Sequence, residues 1–80
     1  MMDIDWKFIR VVDTETELLE LILNAHNSAM QTGLNVRSRV YSTGKVRIFD
    51  YRDDGRDLVF EAEKRPSGRW RVRSNLWIQE

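Results

Sequence analysis

From Leu34 onward the side chains alternate between two sets, and this period of two constrains the fold more than any other feature of the chain. Successive residues of a β-strand point to opposite faces, so Val36, Val40, Val46, Ile48, Leu58, Phe60, Trp70, Val72, Leu76 and Ile78 are expected on one face. The opposite face then collects Arg37, Arg39, Tyr41, Arg47, Phe49, Tyr51, Arg69, Arg71, Arg73 and Trp77. The pattern predicts a sheet with an aliphatic side and a cationic, aromatic side, and the second set is the candidate partner-binding surface.

Turn chemistry divides the alternating region into four strands. Ser42-Thr43-Gly44, Asp53-Asp54-Gly55 and Arg65-Pro66-Ser67-Gly68 each place a glycine late in a short connection, and Pro66 suits the second position of a type I turn. Connections this short make consecutive strands antiparallel neighbours. A further strand is expected from Trp6 to Val12, where Trp-Lys-Phe-Ile-Arg-Val-Val is rich in β-formers, although Trp6 and Phe8 compete with Ile9 and Val11 for the interior. The register between Val46 and Tyr51 is similarly open: a one-residue bulge would exchange Val46 and Ile48 for Phe49 and Tyr51 in the core.

Between the first strand and the meander lies a helical period. Thr14 and Glu17 form a capping box, Glu15 and Glu17 suit the positive end of the helix dipole, and Gly33 stands where a left-handed residue ends a helix. The helix is expected over Glu15 to Thr32, with Leu18, Leu21, Ile22, Ala25 and Ala29 facing the core. Leu19, Leu23, His26 and Met30 make a second stripe on the adjoining flank. That stripe is met by a curling sheet, by the first strand or by a partner, and Leu19, Leu23 and Met30 are the candidate homodimer contacts.

The expected fold class is therefore α+β, one domain over residues 1–80, with a long helix on a four- to five-stranded antiparallel meander. The β-α-β-β-β-β order resembles the cystatin-like architecture, in which a sheet wraps around one long helix. The cystatins that block cysteine proteases use a Gln-x-Val-x-Gly first hairpin and a Pro-Trp second hairpin. Here Val40-Tyr41-Ser42-Thr43-Gly44 keeps only the glycine and Pro66 is separated from Trp70, so the resemblance implies architecture and not protease inhibition.

Composition narrows the chemistry. There is no cysteine and one histidine, His26, which leaves no disulfide framework and no Cys/His zinc site. Asp50, Asp54, Gly55 and Glu61 fall at four positions of a calcium-loop pattern, but Arg52 occupies a ligand position and the flanks read as strands, which favours an ordinary hairpin. No serine has the context of an activated nucleophile, and Gly44-Lys45 lacks the rest of a phosphate loop. No catalytic residue, cofactor or metal is expected. The N-terminus, with Asp3 and Asp5, lacks the basic start and apolar run of a signal peptide, and a cytoplasmic location is expected.

Thirteen basic residues balance thirteen acidic ones, so any charge-driven binding must come from segregation. Arginines gather on the candidate face, whereas acidic residues gather at Asp3, Asp5, Asp13, Glu15, Glu17 and Glu20 and again at Asp50, Asp53, Asp54 and Asp57. Tyr, Trp and Arg are the residues enriched at interface hot spots, and the face is expected to contact another protein, in the manner of a small inhibitor, antitoxin, immunity or phage-type anti-defence protein. Nucleic acid is the alternative ligand, with guanidinium groups on phosphates and rings stacked on bases, but Glu61 and Glu63 would run through the middle of such a platform.

Overall fold

In the computed structural model of the chain, residues 5–78 are described, and Asp3 lies outside them. Strand β1 (Phe8–Val12) leads into helix α1 (Glu15–Gln31), followed by β2 (Val36–Tyr41), β3 (Lys45–Arg52), β4 (Gly55–Lys64) and β5 (Trp70–Ser74). The strands form one antiparallel sheet in the order β1-β5-β4-β3-β2. The meander makes β2 one edge, and β1 closes the sheet at the other by pairing with the last strand.

Helix α1 is delimited as its end residues dictate. Thr14 is extended at the N-cap, and its Oγ1 accepts the Glu17 N–H at 3.2 Å. Glu17 reaches back one residue further than in a standard capping box, its Oε2 accepting the Asp13 N–H at 3.3 Å. At the other end Gly33 takes a φ of 78°, and the Ala29 and Met30 carbonyls accept the Leu34 and Gly33 N–H groups in a Schellman arrangement. Leu18, Leu21, Ala25 and Ala29 are the buried residues of the helix. Its first half inserts leucines among Val12, Val46, Ile48, Phe60, Ala62, Trp70 and Val72, whose side chains form the inner face of the sheet.

The expected alternation holds through most of the sheet and breaks at one place. Ile48 pairs with Phe60, but the next residue, Phe49, pairs with Leu58, which leaves Val59 as an extra residue on β4. The bulge therefore falls on β4 and not in the Val46 to Tyr51 segment. Val46 and Ile48 stay in the core, Val59 joins them, and Leu58 moves to the outer face beside Phe49. The unpaired Val59 carbonyl is satisfied by Ser74 Oγ at 2.7 Å and by the Asn75 N–H at 3.1 Å.

Three expectations about the ends of strands are corrected. The N-terminal strand begins at Phe8 and not at Trp6. The last strand stops at Ser74, so Leu76 and Ile78 reach the core from an irregular segment, and Trp77 lies outside the sheet. Ser74 Oγ accepts the Leu76 N–H at 3.0 Å while donating to Val59, and this double use turns the chain out of the ladder. Finally, Val40 was expected among the core residues but is 81% exposed, on a strand at the edge of the sheet.

Ser74 is fully buried and holds both the bulge and the chain exit. Ser74→Ala leaves the Val59 carbonyl with the Asn75 N–H as its remaining partner and strands the Leu76 N–H, with an expected loss of about 1–3 kcal/mol in urea unfolding at unchanged m-value. A loss below about 0.5 kcal/mol would show that the hydroxyl is dispensable to the bulge.

Candidate functional site: the outer face of the sheet

Helix α1 covers one face of the sheet and leaves the other as a surface whose side chains follow from register. One row across the strands reads Arg39, Arg47, Glu61, Arg73 and Ile9, and the next reads Tyr41, Lys45, Glu63, Arg71 and Val11. A third begins Arg37, Phe49 and Leu58, and beyond it Tyr51 pairs with Arg56. Of the expected set, Arg37, Arg39, Tyr41, Arg47, Phe49, Tyr51, Arg71 and Arg73 are brought together on this face. Arg69 precedes β5 and pairs instead with Asp13 at 2.9 Å, and Trp77, 72% exposed, stands beyond the last strand against α1, where Ser28 Oγ donates to its carbonyl.

Glu61 organises the centre. Its side chain is 7% exposed, with Arg47 Nε at 2.8 Å on one oxygen and Arg73 Nη2 at 2.5 Å on the other. Burial pushes its carboxyl up, but the guanidiniums of Arg73 and Arg47 together outweigh that penalty and hold it below the ordinary carboxylate value. The hydrogen bond that Arg47 donates to Glu61 raises the Arg47 pKa above its usual value. Lys45 and Glu63 repeat the pairing more loosely at 3.7 Å near the hairpin end.

The aromatic rings are engaged as well. Arg47 lies over the Tyr41 ring at 5.4 Å, Arg37 over Tyr51 at 5.9 Å, Arg56 over Phe49 at 4.1 Å and Arg73 over Trp6 at 4.6 Å. Phe49, although on the polar side, is only 7% exposed, and it meets Tyr51 edge-on. Hydrogen bonding from Arg56, with a smaller contribution from Arg39, lowers the Tyr51 phenol below its ordinary pKa. Sequence reasoning missed Trp6, Arg56 and Leu58. Trp6 precedes the strand, Leu58 was expected on the aliphatic face, and the bulge, by reversing the parity of β4 below Phe60, brings Leu58 and Arg56 to this one.

Charge is divided between the two sides of the molecule. Helix α1 contains Glu15, Glu17 and Glu20 and no lysine or arginine, whereas the outer face carries arginines on four strands with Glu61 and Glu63 as its strand carboxylates. The acidic turn is a hairpin: Arg52 pairs with Gly55 around Asp53-Asp54, and Glu61 is committed to its two arginines. Among the described residues no group of three or more His, Cys, Asp or Glu is placed to hold a metal ion. His26 Nε2 lies 2.6 Å from Ser38 Oγ and links α1 to β2. On the adjoining flank Leu19, Leu23 and Met30 are 64%, 61% and 71% exposed. Among the described residues no helix is long and apolar enough to cross a membrane.

Comparison with protein-family models, curated proteins and solved structures returns no match to this chain.

Because the folded-state pKa of Glu61 is depressed, its stabilisation is present above the unfolded value of about 4.3 and is lost as pH falls through the lower folded value. Glu61→Gln removes this contribution. Its expected cost at pH 7 is about 2 kcal/mol, under the ~3–5 typical of a fully buried broken pair because the arginines stay partly hydrated. Below pH 4 the wild-type and variant unfolding free energies, measured in urea across a pH series, should converge; a constant difference down to pH 2 would contradict this origin.

Proposed function

We propose that the protein is a non-catalytic binding module that occupies an acidic surface of another protein through the outer face of its sheet, as a small inhibitor or immunity-type protein would. The observation that carries this reading is the stacking of guanidinium groups on aromatic rings. Arg37 and Arg56 rest on Tyr51 and Phe49, so they are held in position before a partner arrives, and both remain exposed. A preorganised arginine loses less side-chain entropy on binding a carboxylate, and its planar fork matches the two oxygens. Beside it Arg39 is exposed, and the partly buried Leu58 contributes apolar area.

The same observation weighs against a nucleic-acid platform. Base stacking needs open ring faces, and here Tyr41, Tyr51, Phe49 and Trp6 each have an arginine over the ring. Arg47 and Arg73, which would meet phosphates, are spent on Glu61. An acidic protein surface needs only the arginine edges that remain free.

The test is copurification of the tagged protein with a stoichiometric partner from nuclease-treated host lysate. Arg37→Glu combined with Arg56→Glu is expected to remove the partner, by about 100-fold or more in affinity if both sit at a hot spot. Trp77→Ala, which lies off the face, should leave it bound. Tight binding of single-stranded oligonucleotides that weakens steeply with salt, with no retained protein, would replace this reading with the nucleic-acid one.

A further inference from the structure

Among the described residues strand β2 has β3 as its only sheet neighbour, which leaves its far edge open. The phase of the ladder shows which groups are available there. The Tyr51 N–H donates to the Asn35 carbonyl at 2.8 Å, and stepping by two from this pair makes Arg37, Arg39 and Tyr41 the residues whose backbone groups face β3. The N–H and C=O groups of Val36, Ser38 and Val40 therefore point outward. Val-Arg-Ser-Arg-Val-Tyr contains no proline, no lysine and no bulge, the usual devices that blunt an edge.

We propose that β2 receives an acidic, extended segment of another protein as a sixth, antiparallel strand. This rests on the reading that the outer face binds an acidic protein and names how the partner engages it. In antiparallel pairing directly opposed residues share a face. The incoming strand therefore sets carboxylates opposite Arg37 and Arg39, in the non-hydrogen-bonded positions where side chains approach most closely. Its alternate, apolar residues lie on the inner side over Val40, which is 81% exposed. They meet the flank of α1 that His26 ties to Ser38 and on which Leu23 is 61% exposed.

A second copy of the chain fits the edge poorly. A two-fold antiparallel pairing of β2 centred on Ser38 opposes Arg37 to Arg39 twice, and a pairing centred on Arg37 or on Arg39 opposes the central arginine to itself. Like charges facing one another across a strand pair are destabilising, so the arginines discourage self-pairing at the edge where they attract an acidic strand.

The probe is the peptide acetyl-Thr-Glu-Val-Glu-Val-Glu-Thr-amide, titrated into the isotopically labelled full chain. Binding is expected to protect the Ser38 and Val40 amides from hydrogen exchange and to exceed that of the Glu-to-Lys peptide by about tenfold or more. N-methylation of the peptide valines, whose N–H groups would face β2, should abolish binding, whereas N-methylation of the glutamates should leave it. Val40→Pro removes an outward N–H without touching the β2–β3 ladder and should also abolish it. Equal binding of the block isomer acetyl-Glu-Glu-Glu-Thr-Thr-Val-Val-amide, or equal effects of the two methylation patterns, would overturn strand addition while leaving acidic-surface recognition intact. No preference for any acidic peptide over the lysine peptide would overturn both. Protection of the β2 amides that rises with protein concentration in the absence of peptide would overturn the proposal in favour of self-association.

Discussion

The outer side of this sheet depends on the Glu61 carboxylate. A single helix can cover only one face of five strands, and among the described residues the other has no second layer to exclude water. What replaces that layer is a polar lattice: one carboxylate on the central strand β4 holds an arginine from β3 and another from β5, and those arginines in turn cover Tyr41 and Trp6. The long arginine stems shield backbone and apolar carbon beneath them, so the face is partly dry while remaining charged at its rim. Three neighbouring strands are thereby joined by side chains as well as by ladder hydrogen bonds.

The bulge at Val59 sets the second feature of the surface. In a regular ladder Val59 would lie opposite Phe49 on the outer face, and Leu58 would continue the inner face below Phe60. With the bulge, Phe49, Leu58 and Tyr51 form a small apolar corner roofed by Arg56 and Arg37. In the corner apolar area lies beside guanidinium groups that no carboxylate holds, which is the composition of an interface centre. The bulge is secured from the core by Ser74, so the geometry of the corner rests on a hydroxyl on the opposite side of the sheet.

Much of this was legible in the sequence because alternation and turn chemistry are local signals. The capping threonine, the glycine after the helix, the three hairpin glycines and the arginine rows of β2, β3 and β5 all follow from spacing and agree with the structure. Element order also anticipated one helix on an antiparallel sheet. What spacing could not reveal were properties set by neighbours distant in sequence. The pairing of β1 with β5 leaves Ile9 and Val11 exposed and brings Trp6 to Arg73. The bulge changes parity without any glycine to announce it, since Val59 is β-branched and sits comfortably in a strand. Val40 reads as core by alternation, and only its place on the sheet edge explains its exposure.

The division of charge between helix and sheet has a kinetic meaning. A chain with zero net charge exerts little monopole attraction on an acidic partner at long range, yet its glutamate-bearing helix and arginine-bearing sheet lie on opposite sides of the same small body. Within about a Debye length, roughly 8 Å at physiological salt, that asymmetry acts as a dipole and applies a torque. An acidic surface of the kind proposed above would turn the arginines toward itself and the helix away, so encounters would be selected by orientation more than by frequency. Salt would then weaken docking mainly by blurring this alignment.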